Sequence, residues 1–203
     1  MKNKKQILFI HGGYTFENRK DYLKFLKDYK IDPYKKRIYW INWLATKLKN
    51  YEIVIPQMPC DKNAKYEEWK IWFEKYLPFI KDKNFILMGH SLGAIFLLKY
   101  LSENNLKKKI GQLHLFAPAI FDDGLGPEKL STLRSNLKKI KNIEKKCKEF
   151  HLWYSKDDPV CLFKNSEIIR NIIPNVNFHV FKNKGHFKQP TFPEILKIIK
   201  ETN

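Results

Sequence analysis

Short apolar runs alternate along the chain with stretches whose apolar residues recur at helical spacing. The apolar runs, which predict β-strands, lie at residues 7–10, 53–55, 85–88, 113–116, 150–154 and 176–181. The clearest helical stretch is 69–80, where apolar side chains recur at intervals of three and four. Such alternation is typical of βαβ units. We therefore predict an α/β fold with three layers, α/β/α, around a mostly parallel sheet of about six strands.

The same periodicity predicts further helices, at residues 22–29, 38–48, 95–101 and 195–199. The chain of 203 residues has the length of one domain, so we predict a single domain over residues 1–203. One connection is long. Residues 119–146 begin as an irregular stretch and continue as a predicted helix from Leu130 to Ile140. This segment is either a small lid or a plain crossover insertion with a long entry loop, because the pattern fits both.

The net charge of +18, from 39 basic and 21 acidic residues, changes this picture little. Only four of the basic residues are arginines, the side chain best suited to bidentate contacts with phosphates and bases. No helix-turn-helix, zinc-finger or RNA-binding aromatic pattern accompanies the lysines. We interpret the charge as a solvated lysine-rich surface and predict no specific nucleic-acid partner.

Cysteine usage and the N-terminal residues favour the cytoplasm. Cys60, Cys147 and Cys161 form no C-x-x-C pair, so neither a disulfide framework nor a zinc site is implied. The apolar run at residues 7–10 is too short for a signal-peptide core or a membrane span. We therefore expect a cytoplasmic protein without a membrane span.

The strongest chemical signal is the G-x-S-x-G pattern at residues 89–93, Gly-His-Ser-Leu-Gly. It follows a predicted strand and precedes a predicted helix, the context in which this pattern forms a sharp turn that exposes a nucleophilic serine. Side chains at the flanking positions would clash with the neighbouring strand and helix, which explains the two glycines. Ser91 is therefore the predicted nucleophile, and the alternative is an ordinary glycine-bounded turn.

A serine hydroxyl needs a base, and the base needs a third group that orients it. In the chain order Ser…Asp…His, the base lies in the loop after the last strand. His186 is the histidine in that loop. His90 is expected to point away from Ser91. Three other histidines lie within predicted strands, where a structural role is the better interpretation: His114, His151 and His179.

Two aspartates compete for the orienting role, Asp157 and Asp158, directly after the fifth predicted strand. We favour Asp158, because the proline that follows it biases its backbone towards an extended bend. Asp157 remains the alternative, and otherwise it would cap the next turn.

Backbone amides are the expected oxyanion donors. The amide of Leu92 opens the helix after Ser91, and that of Gly13 lies in the glycine pair after the first strand, where a substrate can approach closely. The amide of Tyr14 is held in reserve. Tyr14, Phe121 and Phe187 either line an apolar acyl pocket or belong to the core.

Taken together, these segments resemble the small α/β-hydrolase-fold serine hydrolases related to retinoblastoma-binding protein nine. The matching segments are Ile10-His11-Gly12-Gly13, Met58-Pro59, Glu68-Trp69, Gly89-His90-Ser91-Leu92-Gly93, Ser155-Lys156-Asp157-Asp158-Pro159-Val160 and Gly185-His186-Phe187. The resemblance implies a compact hydrolase without a large cap domain and a triad of Ser91, Asp158 and His186.

The predicted reaction is hydrolysis of a small carboxylic ester, or a similar acyl bond, through an acyl-enzyme on Ser91. This carboxylesterase-like chemistry requires neither a metal nor an organic cofactor. The same triad also serves acyl transfer, in which an acceptor other than water resolves the intermediate. A third possibility is a catalytically idle protein-interaction module on a hydrolase fold, because a fold does not fix a function.

Overall fold

A computed structural model describes residues 4–34 and 39–201 and contains one sheet of six parallel strands. Its order is β2-β1-β3-β4-β5-β6, and all five neighbouring pairs are parallel. The predicted α/β class and the six predicted strands are confirmed. The strands are β1 Lys5–Ile10, β2 Tyr51–Val54, β3 Ile86–His90, β4 Ile110–Phe116, β5 Cys147–Ser155 and β6 Asn177–Phe181.

Helices connect and cover the strands. They are α1 Arg19–Asp28, α2 Trp40–Lys47, α3 Tyr66–Tyr76, α4 Leu92–Glu103, α5 Leu137–Ile140, α6 Lys164–Ile172 and α7 Pro193–Glu201. Ile38, which the sequence places in the second helix, lies outside the described residues. Helix α6 was not predicted, although Ile168, Ile169 and Ile172 recur on one side at helical spacing.

Aromatic side chains fill both interfaces between the helices and the sheet. On one face, Trp40 of α2 packs against Phe116 of β4 and against Phe192, the residue before α7. On the other face, Trp69 of α3 packs against Phe96 of α4. The right-handed hand of parallel crossovers requires this division, because the strand order reverses after β1–β2. The sheet is therefore the middle of three layers.

The helix predicted at residues 130–140 is wrong. Only Leu137–Ile140 is α-helical, and short 3₁₀ turns cover Ser131–Leu133 and Lys141–Lys146. Ser131 has a φ of +47°, which no right-handed helix contains. Leu130, Leu133 and Ile140 are nevertheless fully buried. The apolar side chains whose spacing predicted a helix are therefore buried in the core, although the backbone between them is mostly not α-helical.

The three strand histidines form a stacked row on β4, β5 and β6. His151 lies between the other two, with ring centroids 4.4 Å from His114 and 5.3 Å from His179. Burial is the main cause that lowers the pKa of all three. Glu149 accepts from His151 at 3.1 Å.

None of the helices in residues 4–34 and 39–201 combines the length and the apolar character that a membrane span requires.

Candidate active site

The carboxyl ends of the parallel strands meet at one edge of the sheet, where open α/β sheets carry their sites. Ser91 directly follows β3 and precedes α4 there. Its backbone is strained, with φ at +53° and ψ at −121°. Its amide donates to the carbonyl of Phe116 at 2.9 Å, which fixes the turn against β4. The turn predicted from the G-x-S-x-G pattern is therefore present.

Both glycines of the turn occupy places that a side chain could not share. A Cβ on Gly89 would lie 2.7 Å from the carbonyl oxygen of Gly93 and 2.8 Å from the backbone of Ala94. A Cβ on Gly93 would clash with the carbonyl oxygens of Ile10 and His11. The turn thus packs tightly against its own helix on one side and against the end of β1 on the other.

A continuous row of hydrogen bonds joins Ser91, His186 and Asp158. His186 Nε2 lies 2.8 Å from Ser91 Oγ, and His186 Nδ1 lies 2.8 Å from Asp158 Oδ2 and 3.0 Å from Asp158 Oδ1. A carboxylate only accepts, so Nδ1 carries the proton and Nε2 accepts from the serine hydroxyl. His186 and Asp158 are buried, at 9% and 4% exposure.

The buried carboxyl group of Asp158 is well supplied with donors. Besides His186, the amides of Val160 and Cys161 donate to Oδ1 at 2.8 and 3.0 Å. Such bonds offset the cost of burying a charge. The neighbouring thiol does not compete as a nucleophile, because burial, followed by the charge of Asp158, raises the pKa of Cys161 well above its usual value.

Asp157 points to a different partner. Its Oδ1 accepts from the Gly185 amide at 2.9 Å and from Ser155 Oγ at 2.5 Å. The Ser155 and Gly185 hydrogen bonds lower the pKa of Asp157. Asp157 therefore supports the loop that bears His186, and it does not contact the His186 ring in the way that Asp158 does.

The amides expected to stabilise an oxyanion belong to Leu92, directly after Ser91, and to Gly13, in the loop after β1. Leu92 is the first residue of α4, so its amide has no acceptor within the helix. A Cβ on Gly12 would lie 3.2 Å from Ser91 Cβ, which brings the loop after β1 against the serine. The reserve donor is excluded, because the Tyr14 amide donates to Asp61 O at 2.7 Å.

His11 fixes the peptide between Gly12 and Gly13. Met58 N donates to His11 Nε2 at 2.9 Å, so Nδ1 carries the proton and donates to Gly12 O at 2.6 Å. In a trans peptide the N–H points opposite to the C=O. The Gly13 N–H is therefore directed away from His11. This role of the His11 ring was not predicted from the sequence.

The three aromatic residues suggested for substrate contact differ in their burial. Phe187 is fully buried and packs against Phe116, Phe181 and Phe192, so it belongs to the core and does not line a pocket. Its side chain completes the aromatic layer under α7. Tyr14 is partly exposed.

Phe121 is also partly exposed and lies near the start of the long connection between β4 and β5. This connection lies against the loop after β1. Thr15 N donates to Glu128 Oε2 at 3.3 Å, and Lys129 N donates to Thr15 O at the same distance. Residues 128–129 therefore border the loop that carries Gly13. The lid and the crossover insertion both stay predictions for residues 119–146.

His90, which was expected only to point away from Ser91, makes an unforeseen contact. Its Nε2 lies 2.8 Å from the carbonyl oxygen of His186. The only signal in the sequence was the position of a histidine next to the nucleophile.

Among the described residues, no group of three or more His, Cys, Asp or Glu side chains is arranged to hold a metal ion.

The chain is similar to known proteins both in sequence and in fold. Serine hydrolase RBBP9 of Rattus norvegicus is 24% identical over 164 residues, which cover 79% of this chain and 84% of that protein. The solved structure of the ydeN gene product from B. subtilis has a TM-score of 0.71 at 20% identity and covers 98% of both chains. Esterase Pf2001 of Pyrococcus furiosus has a TM-score of 0.61 at 18% identity, over 99% of this chain and 80% of that one.

The two solved structures identify the architecture as the α/β-hydrolase fold. A family model described as serine hydrolase matches residues 35–192, which is more than half of the chain and includes the three hydrogen-bonded side chains. The chain belongs to the serine hydrolase family.

Proposed function

We propose that this serine hydrolase cleaves small carboxylic esters through a triad of Ser91, His186 and Asp158. The observation that carries the proposal is the unbroken row of hydrogen bonds from the Asp158 carboxylate through the His186 ring to Ser91 Oγ. Each bond lies within the distance that proton transfer requires. An orienting acid, a neutral imidazole and a hydroxyl in this sequence form the standard apparatus of acyl transfer.

In the proposed reaction, Ser91 Oγ attacks the ester carbonyl while His186 Nε2 takes the hydroxyl proton. The C–O bond of the tetrahedral intermediate then breaks, and His186 returns its proton to the departing alcohol. A water molecule attacks the acyl-enzyme while His186 takes one of its protons. His186 then returns that proton to Ser91 Oγ as the acyl C–O bond breaks and the acid leaves. Asp158 keeps Nδ1 protonated throughout and stabilises the imidazolium that forms twice in each turnover.

The amides of Leu92 and Gly13 are the proposed oxyanion donors. The first belongs to the open N-terminus of α4, where unpaired N–H groups and the helix dipole favour negative charge. The second is directed by the bond from His11 to Gly12 O. Donors of this kind typically contribute about 10²–10³-fold to turnover each.

A cavity beside the aromatic rings that pack on Tyr14 supports an acyl group of moderate length as the substrate portion there. The Tyr14 ring lies 4.7 Å from Phe25 and 5.9 Å from Tyr29, measured between centroids. Phe25, Tyr29 and Pro127 line a cavity of about 220 Å³ together with Lys24, Asp28 and Lys30. Phe121 remains a second proposed contact. The esterase named among the structural neighbours also favours an ester substrate.

The proposal is tested with p-nitrophenyl esters of increasing acyl length and with a fluorophosphonate probe. Wild type should hydrolyse the esters and bind the probe covalently, whereas a folded Ser91→Ala variant should do neither. A folded wild type that neither reacts with the probe nor cleaves any ester would favour the idle interaction module.

Acyl transfer is the second candidate, because the same acyl-enzyme serves both reactions. Adding a small alcohol to the assay separates the two. If water is the natural acceptor, the free acid should remain the main product at millimolar alcohol. A predominance of the new ester under those conditions would identify an acyltransferase.

A further inference from the structure

His90 lies where the two halves of the site meet. It is the last residue of β3, directly before Ser91, and only 8% of it is exposed. Its Nε2 is 2.8 Å from the carbonyl oxygen of His186, and the two ring centroids are 5.0 Å apart. One side chain on the nucleophile's own turn therefore contacts the backbone of the base, 96 residues away in sequence.

The direction of this hydrogen bond is fixed by chemistry. A carbonyl oxygen only accepts, so His90 Nε2 must carry the proton and donate. Burial, and next the proximity of His186, lower the pKa of His90 to about 3. The ring is consequently neutral at working pH, with Nδ1 unprotonated. That atom faces the loop after β1, since a Cβ on Gly12 would lie 3.7 Å from it.

The loop around His186 needs such support, because its backbone is unusual. Gly185 and Phe187, on either side of His186, have φ values of +50° and +51°. A left-handed conformation costs a residue other than glycine about 1–2 kcal/mol. Two hydrogen bonds hold the loop before His186: Gly185 N donates to Asp157 Oδ1, and Lys184 N donates to Ser155 Oγ. His90 provides a hydrogen bond to His186 itself.

We propose that His90 is a positioning residue for the base. By donating to the His186 carbonyl, it ties the base's backbone to the turn that bears Ser91, so that His186 Nε2 stays within hydrogen-bond distance of Ser91 Oγ. This inference rests on the proposed function. Misplacement of a reacting group by about 1 Å can lower a rate by about 100-fold, so a single tie at this point has kinetic weight.

Glutamine and methionine form a matched pair for the test, because the two side chains have nearly the same length. His90→Gln retains an N–H donor near the Nε2 position, whereas His90→Met places an apolar chain there. We expect His90→Met to lower kcat and the rate of fluorophosphonate labelling by about 10- to 100-fold with little change in KM. His90→Gln should retain most of both rates.

A control separates positioning from the general loss of a buried histidine. His151→Met, in β5 and in the middle of the stacked histidine row, should lower the melting temperature without slowing the labelling of Ser91. Equal labelling rates in folded His90→Met and His90→Gln would overturn the inference. If His90→Met does not fold, His90→Asn takes its place, because its shorter amide does not reach the His186 carbonyl. Labelling of His90→Asn as fast as that of His90→Gln would likewise overturn the inference.

Labelling of the wild type by the fluorophosphonate probe distinguishes failure of the role of His90 from failure of the proposed function. If wild type is labelled at Ser91 but the His90 variants do not differ, only the role of His90 fails. If folded wild type is not labelled at all, the proposed function fails, and the role of His90 fails with it.

Discussion

Asp157 Oδ1 accepts a hydrogen bond from the Gly185 amide at 2.9 Å, one residue before the histidine that Asp158 contacts. Two adjacent carboxylates therefore hold two adjacent residues of the facing loop. Asp157 holds the backbone, and Asp158 holds the imidazole. This division explains why the sequence carries a pair of aspartates at a place where the proposed chemistry needs one.

The pair predicts unequal effects of the same substitution. Asp158→Asn should lower kcat by roughly 10⁴-fold, because the amide favours the wrong tautomer of His186. Asp157→Asn should lower kcat by less than about 10-fold, since its partners are Gly185 N and Ser155 Oγ. Steady-state kinetics on a p-nitrophenyl ester, with circular dichroism to verify folding, would measure both. A larger loss in Asp157→Asn would reverse the two assignments.

Much of this arrangement could be predicted from the sequence, because the patterns that indicate it involve residues close together along the chain. The strand patterns and the G-x-S-x-G turn depend on neighbouring residues only, and the parallel sheet then brings the loops after β3, β5 and β6 to one edge. The choice of Asp158 over Asp157 followed from the proline after it. In the structure, the amides of Val160 and Cys161 donate to Asp158 Oδ1.

What the sequence missed depends on contacts between distant segments. The bond from His90 to the His186 carbonyl spans 96 residues, and no local pattern encodes it. The helix expected after Leu130 failed for a similar reason. Asp122 Oδ1 accepts from Leu130 N at 2.8 Å, which ties that residue to the entry loop. The core then buries Leu130 and Leu133 without α-helical geometry.

The tight packing of the turn predicts that adding one methyl group at Gly93 strongly lowers the stability of the fold. Gly93→Ala would push a Cβ into the carbonyl oxygens of Ile10 and His11, and backbone cannot move aside cheaply. We expect the variant to lose more than about 3 kcal/mol of stability or to fail to fold. The measurement is the free energy of unfolding in urea.

Gly126→Ala provides the control for that experiment. Gly126 has a positive φ of +63°, unlike the helical Gly93, but a Cβ on Gly126 would meet no atom within 4 Å. Only the conformational cost of about 1–2 kcal/mol remains. If Gly93→Ala were no more destabilising than Gly126→Ala, the turn would be looser than its contacts indicate.

The cavity beside Tyr14 predicts a length-dependent loss of activity. Phe25→Ala removes the ring that both lines the cavity and packs on Tyr14 at 4.7 Å. Because each buried methylene contributes about 0.8 kcal/mol, kcat/KM for octanoate esters should fall by roughly 10-fold, while acetate esters change less than about 2-fold.

Phe79→Ala is the matched control for Phe25→Ala. Phe79 is 69% exposed, and its carbonyl accepts from Gln6 near the start of β1, at the opposite edge of the sheet. Its removal should leave the chain-length profile unchanged. An equal loss at every acyl length in Phe25→Ala would show that the cavity does not hold the acyl group.

Glu128 connects the long segment after β4 to the loop that bears Gly13, and its titration predicts a pH-dependent stability. Burial raises the pKa of Glu128 to about 7, against smaller opposing effects of the Thr15 amide and the Lys188 charge. The folded protein therefore binds this proton more tightly than the unfolded chain does. The stability that the proton provides is fully present below pH 4.5 and is lost as the pH rises through about 7.

Glu128→Gln removes this titration but keeps an oxygen that accepts from Thr15 N. Thermal melts of wild type and variant should differ little near pH 4.5, and the variant should become progressively more stable than wild type as the pH approaches 8. A difference between wild type and Glu128→Gln that stays constant with pH would mean that Glu128 titrates like an exposed carboxylate, and its place against Thr15 would then be open to solvent.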